Sequence, residues 1–300
     1  MEILEGGRSG WAPWIWLNGA VVSGQDARVS VFDHGFLYGD GVFETARSWR
    51  GEIFRWARHR ERLGRSLTAA RMELAFPLTD LDGAIESCLD ANGLREARIR
   101  LTVTRGEGGP GLEALGDPPS LTVVVAASPW RPLPEGKYRN GVSVIIPRIR
   151  QTGRESLDPS LKSISRVHLV LARLEATDRR AHEAILLGDD GEVTEGTVSN
   201  VFLVQDGVIR TPSLETGILE GVTREAVLEI ARSRARAVEE TGLTRRNLEE
   251  AEEVFLTNTS WGVLPVTSLE GSSVGNGKPG PTAADLGRLL ADLVETECGR

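Results

Sequence analysis

The sequence predicts an α/β protein of two domains, a smaller α+β unit followed by a larger α/β unit. Three observations predict it. The chain has 300 residues, about twice the roughly 150 of a typical domain. Strand-like and helix-like apolar patterns alternate along its length. PWRPLPEG, at 129–136, places three prolines in eight residues and is the best linker candidate. The expected boundaries are therefore 14–128 for the first domain, 129–136 for the linker and 137–300 for the second.

The elements follow in order. WIWLNGAVVS reads as two strands joined at Asn18-Gly19, and RVSVF as a third. DHGFLYGDGVFE, residues 33–44, holds more glycine and aromatic residues than a turn requires. Asp40-Gly41 would supply the positive φ of a turn, so Gly35, Gly39 and the rings point to a backbone that something approaches closely. GEIFRW leads into an arginine-rich helix from about Arg55 to Leu74, and TDLDGAIESCLDANG reads as a second helix capped by Thr79 or Asp80 and stopped by Gly93. RIRLTVTR alternates apolar and polar residues and SLTVVVAAS is a β-branched run, so two strands close the first domain.

In the second domain GVSVIIPRI is a strand, and Ile164, Val167, Leu171 and Leu174 recur at helical spacing. EAILLGDDGEVTEG comes next, then NVFLVQDGVIRTP with its Asp206-Gly207 turn, and Glu195 falls between two strand-like runs. The helix VTREAVLEIARSRA, the strand EEVFLTNTS and a terminal helix from about Pro281 complete the chain.

A formal charge of −8 argues against nucleic acid and anionic membranes as partners. No apolar run approaches the roughly 18 residues that span a bilayer. The acidic start MEILEGG lacks the basic and apolar regions of a signal peptide, and a cytoplasmic location is expected. Cys88 and Cys298 are too few for a disulfide framework or a zinc site, and no metal is expected.

Of the 35 basic residues only Lys137, Lys162 and Lys278 are lysines. A chain that answers ordinary surface charge with arginine keeps a lysine by chance, or because it needs an amine that can lose its proton and attack a carbonyl. Lys137 and Lys278 sit in solvent-loop sequences, whereas Lys162 lies just before or at the start of a helical pattern. Glu195, in VTEGTVSNVF, fits an ordinary solvated turn when taken alone, and ILEGVTREAV fits an ordinary helix start. Joined to Lys162 they acquire a chemistry. A lysine Schiff base with pyridoxal phosphate is an electron sink only while an acid faces its ring nitrogen, and the amides at Val222 and Thr223, following Gly221, can hold a phosphate.

DHGFLYGDGVFE, the arginine-rich helix, the isolated lysine, VTEGTVSNVF, GILEGVTREAV and EEVFLTNTSWGVLPV occur in that order, and together they resemble the class IV pyridoxal-phosphate aminotransferases over residues 14–295. That group includes branched-chain and D-amino-acid aminotransferases and aminodeoxychorismate lyases. The resemblance implies that fold, with a small N-terminal and a larger C-terminal domain and the cofactor, pyridoxal 5′-phosphate, between them. It makes Lys162 the Schiff-base lysine and proton shuttle and Glu195 the partner of the ring nitrogen. Arg62, Val222, Thr223 and Thr259 become phosphate ligands, Leu219 packs on the ring, and Tyr38, Phe43 and Ser260 line the substrate side.

Arg105 is a further substrate candidate, as the arginine of TRG that meets the substrate carboxylate in D-amino-acid enzymes. Its phase continues Ile99, Leu101 and Val103 inward if the strand reaches it; if the strand ends by Thr104, it is a loop residue. Val167 stands where branched-chain enzymes commonly place a tyrosine. The expected activity moves an amino group between an amino acid, branched-chain or D, and a 2-keto acid, in a homodimer. A β-eliminating lyase, an amine transaminase and a non-catalytic cofactor-binding protein are the alternatives.

Overall fold

The computed structural model describes residues 10–113 and 120–299; MEILEGG lies outside them. Contacts divide the chain into two units, one of Met1–Arg131, Leu161–Ser165 and Glu297–Arg300, the other of Pro132–Ser160 and Arg166–Thr296. The division between Arg131 and Pro132 falls inside PWRPLPEG. Lys162, expected in the second unit, groups with the first, because its segment pairs with a strand there: Phe43 N–H donates to the Lys162 carbonyl (2.9 Å) and Ile164 N–H to that of Gly41 (3.0 Å).

The first unit contains β1 (Trp14–Leu17), β2 (Ala20–Ser23), α1 (His34–Tyr38), β3 (Gly41–Trp49), β4 (Glu52–Ile53), α2 (Trp56–Ala69), α3 (Asp80–Ala91), β5 (Ala97–Thr104) and β6 (Thr122–Pro129). Its sheet, ordered β2-β1-β6-β5-β3-β4, is antiparallel throughout. Along β5 the odd residues Ala97, Ile99, Leu101 and Val103 are buried, and Leu63 and Leu67 of α2 and Leu81 and Ile85 of α3 belong to the same core. The Asn18-Gly19 turn takes positive φ at both residues (47° and 98°), as a two-residue hairpin of this twist requires.

RVSVF departs from expectation. It pairs with no strand, and Val29, Val31 and Phe32 stay 49%, 60% and 59% exposed; β-branched composition alone does not supply a sheet edge. The arginine-rich helix stops at Ala69 rather than near Leu74, just before Arg71 takes a φ of 52°.

The second unit contains α4 (Glu135–Asn140), β7 (Val142–Ile145), α5 (Val167–Asp178), β8 (Glu183–Leu187), β9 (Val193–Gly196), β10 (Asn200–Gln205), β11 (Val208–Pro212), α6 (Val222–Ser233), β12 (Val238–Thr241), α7 (Arg245–Glu249), β13 (Glu253–Asn258), β14 (Gly262–Leu269), β15 (Ser272–Ser273) and α8 (Pro281–Cys298) up to Thr296. Its sheet runs β12-β11-β10-β13-β14-β7-β8-β9, with β15 on β14. It is parallel at β11/β12, β14/β7 and β7/β8 and antiparallel elsewhere. The β10–β11 hairpin closes at Asp206-Gly207, both at positive φ. Among the described residues no helix is long and apolar enough to cross a membrane.

Candidate active site

Successive residues of β3 point to opposite faces of the sheet, so Phe43 and its neighbours Val42 and Glu44 serve different sides. Val42 joins the core beneath α2 and α3. On the other face two cations address the Phe43 ring: Lys162 Nζ lies 4.8 Å from its centroid, and the Arg100 guanidinium carbon 3.4 Å. The register explains Arg100, since Phe43 faces Thr102 and Thr45 faces Arg100, so even-numbered β5 residues share the Phe43 face.

The glycines of DHGFLYGDGVFE have found their reason. A Cβ on Gly41 would stand 2.7 Å from the Val103 carbonyl oxygen and 2.8 Å from Ile164 Cδ1, and one on Gly39 would stand 2.7 Å from Ser165 Oγ. What approaches closely is the chain's own lysine segment at Gly39 and Gly41, and β5, whose Val103 and Thr104 crowd Gly41 and Gly35. The positive φ belongs to Gly39 (69°), which ends α1, and not to Asp40-Gly41 as expected, because Gly41 already begins a strand.

Arg62 is buried and grips Glu44 with two hydrogen bonds of 2.7 Å, Nε to Oε1 and Nη2 to Oε2, while His59 Nδ1 meets Oε2 at 2.9 Å. The neighbouring α2 arginines take local acidic partners: Arg58 stays exposed beside Glu61, one turn on, and Arg60 pairs with Asp82. Burial pushes the Glu44 carboxyl up, but the charge and hydrogen bond of Arg62, then those of His59, outweigh it and hold it far below the carboxylate range. Burial likewise pushes His59 down; Glu44 opposes this, while Arg62 and Lys162 add to it. Neutral His59 therefore donates from Nδ1 to Glu44.

Both folded-state pKa values lie below their unfolded values of 6.5 and 4.5, so both groups contribute stability at neutral pH that is lost on acidification. Thermal unfolding followed against pH is expected to show a midpoint falling below about pH 6.5, and a shallower fall between there and pH 4.5 in His59→Gln. An identical slope in the variant would remove His59 from the effect.

The remaining first-unit candidates are placed differently. Tyr38 is 40% exposed, and its hydroxyl accepts from Gly111 N–H (3.1 Å). Arg105 follows the end of β5 at Thr104, and it is not a solvated loop residue. Its guanidinium pairs with both oxygens of Asp40 and donates to the carbonyls of Ala70 (2.8 Å) and Arg71 (3.2 Å), so it ties β5 to the end of α2.

In the second unit Glu195 is 8% exposed on β9. Its Oε1 accepts from Gln151 Nε2 (2.9 Å), and Oε2 from the Leu219 N–H (3.0 Å) and Asn200 Nδ2 (3.5 Å). The turn after it is braced by fully buried Glu183, which accepts from the hydroxyls of Thr197 (2.5 Å) and Ser199 (3.4 Å). The Leu219 contact carries the chain from Glu195 toward α6. That helix has twelve residues, an N-cap Gly221 and no side-chain cap, which leaves its first-turn amides to an outside acceptor. The cap is crowded: a Cβ on Gly221 would lie 2.0 Å from Asn200 Oδ1, so a larger residue would have to displace that side chain. Val222 and Thr223 open the helix. Thr259 and Ser260 lie in a turn held by Asn258, whose Oδ1 accepts from Ser260 N–H (2.8 Å) and whose Nδ2 donates to the Val198 carbonyl (3.1 Å).

Within the second unit, the residues fit parts of a phosphorylated pyridine aldehyde: the uncapped start of α6 behind Gly221 suits a phosphate, and a carboxylate ringed by N–H donors suits a protonated ring nitrogen. Within the first unit, Lys162 supplies an amine. Sequence reasoning gave no role to Arg100, Gln151, Asn200 or His59, and took Glu44 only as part of the Phe43-Glu44 pair typical of transaminases. Arg100 was legible through its strand phase, opposite to Arg105, whereas nothing local marks Gln151.

The sequence model of the family described as amino-transferase class IV matches residues 41–269. A D-alanine aminotransferase of Bacillus licheniformis is 33% identical over 283 residues, covering 94% of this chain and 98% of that protein. A branched-chain-amino-acid aminotransferase of Salmonella typhimurium is 33% identical over 297 residues, covering 95% and 94%. The crystal structure of a T.th. branched-chain amino acid aminotransferase with pyridoxamine 5′-phosphate superposes with a TM-score of 0.90 at 34% identity, covering 94% of each chain. Motif order and these matches agree: the chain belongs to the class IV aminotransferases, enzymes that work with pyridoxal 5′-phosphate.

Proposed function

We propose that this enzyme transfers an amino group from a branched-chain or D-amino acid to a 2-keto acid, and that Arg100 reads the donor's carboxylate. The observation that carries the reading is the shared Phe43 face, where an amine and a guanidinium address one ring. A guanidinium grips a carboxylate with two parallel hydrogen bonds. Arg105, the earlier candidate, has Asp40 and two carbonyls as partners.

When bound, the cofactor supplies an electron sink for the α-carbon. Lys162 provides the amine that the donor displaces, and then moves the α-proton. Glu195 holds the proton at the ring nitrogen. The amides of Val222 and Thr223, with Arg62 and Thr259, hold the phosphate; Leu219 packs on the ring, and Tyr38, Phe43 and Ser260 shape the substrate side.

Arg100→Ala is expected to lower kcat/KM for amino acids about ten- to a hundredfold, the worth of a hydrogen bond to a charged group, and to spare the decarboxylated amines. Arg105→Ala should lower the unfolding midpoint and affect both substrate types equally. Kinetics on an amino acid and its matching amine decide it: selective loss in Arg105→Ala alone would return the role to that residue. Omitting the keto acid separates a transaminase, which then stops after one half-reaction, from a lyase.

We further propose a homodimer in the cytoplasm. Val167, Val170, Leu171 and Leu174 line one side of α5 at 48–71% exposure, while Ala172 and Ala176 pack inward, so α5 presents an apolar stripe that a second copy would cover. Sedimentation is expected to show a dimer that Leu171→Glu weakens; a wild-type monomer would end the proposal. The buried Cys88 and Cys298, both unpaired, accord with a reducing compartment.

A further inference from the structure

Glu195 is aimed by a pair of side chains outside the reacting set. Gln151 is 3% exposed, and its amide cannot turn over. Its Oε1 accepts from the backbone N–H of Thr152 (3.0 Å), a group that can only donate, so the oxygen must lie on that side and Nε2 on the side of Glu195. The same oxygen lies 2.9 Å from His168 Nε2, which must therefore carry the hydrogen. The result is a directed chain, from His168 Nε2–H to Gln151 Oε1 and from Gln151 Nε2–H to Glu195 Oε1.

The arrangement draws on distant parts of the second unit. Gln151 is held through its own N–H to the Leu187 carbonyl (3.0 Å), at the end of β8, and His168 stands in the first turn of α5. Glu195 takes its other donors from Asn200 and Leu219. Gln151 thus gives the carboxylate a neutral donor on the oxygen opposite the Leu219 N–H. A neutral donor fixes direction without adding a charge that competes for the anion. Burial, with the Arg166 charge, pushes His168 down, which favours the uncharged imidazole as the outer member of the chain.

We propose that Gln151, backed by His168, is a positioning residue that holds Glu195 in line with the ring nitrogen of the cofactor and so sets how firmly that nitrogen keeps its proton. The inference rests on the transaminase reading given above. It predicts that loss of the Gln151 donor swings or loosens Glu195 while leaving Lys162 and the phosphate amides in place.

The test uses the full-length holoenzyme, with the cofactor ring labelled by 15N and the nitrogen resonance followed against pH. Gln151→Leu is expected to shift the ring-nitrogen titration to lower pH and to reduce kcat about ten- to a hundredfold with little change in donor KM. His168→Leu should give a smaller shift in the same direction, and His168→Gln, which restores an N–H donor, should recover most of it. Should Gln151→Leu fail to fold, Gln151→Glu keeps the shape and replaces the donor by a like charge; it should displace the titration strongly. An unchanged titration with unchanged kcat in a folded Gln151 variant overturns the proposal, as does equal loss in His168→Leu and His168→Gln. A wild-type protein that binds no pyridoxal 5′-phosphate would instead overturn the functional reading on which the proposal rests.

Discussion

Lys162→Ala is expected to abolish transamination, with a loss of about four to six orders of magnitude in kcat, because the proposed mechanism gives the residue two roles, Schiff-base amine and proton shuttle. The other two lysines are far along the chain, at 137 and 278, and Arg100 cannot give up its proton. The loss should be chemical and not structural. Within the first unit the Lys162 backbone is held by Phe43 N–H at its carbonyl and by its own N–H to Ser66 Oγ (3.3 Å), contacts that alanine keeps. Borohydride reduction of the loaded wild-type protein, followed by peptide mass mapping, should place the cofactor on the peptide holding residue 162. A variant that retains both covalent capture and turnover would show that another amine does the work.

Glu195→Gln is the second large effect, with an expected loss of about two to four orders of magnitude in kcat and retention of the cofactor. Glutamine keeps the shape but cannot sustain a positive ring nitrogen, so the electron sink weakens. It also brings an NH2 group into a ring of donors, where Gln151 Nε2, Asn200 Nδ2 and the Leu219 N–H already point inward, so some repacking should accompany it. Single-turnover loss of the donor's α-deuterium isolates the step. An unchanged rate there would remove Glu195 from the mechanism even if steady-state turnover fell.

How much of this was legible in the sequence depends on the range of the interaction. The Asn18-Gly19 and Asp206-Gly207 hairpins were read correctly, because a two-residue turn needs only its own backbone angles. Lys162 stood out through composition, since thirty-two arginines made three lysines conspicuous. RVSVF failed for the opposite reason: a strand exists only if a partner edge is available, and that cannot be read locally. Arg105 was half legible. Its phase pointed inward, but its guanidinium is taken by Asp40 and the end of α2, 65 and 35 positions away. Gln151 was invisible, because its meaning comes from a carboxylate 44 residues later.

The placement of residues 161–165 in the first unit has a consequence for synthesis. Val42 leaves the ribosome 121 residues ahead of Ser163, with which it pairs. At about 5–20 residues per second, roughly 6–24 s separate the two. For that interval the start of β3 is an open edge, with Gly41 and Phe43 offering backbone groups to any extended chain nearby. The nascent first unit is therefore open to mispairing beside the place that the proposed mechanism gives to its reactive amine, and translation through residue 165 both seals that edge and brings Lys162 to it.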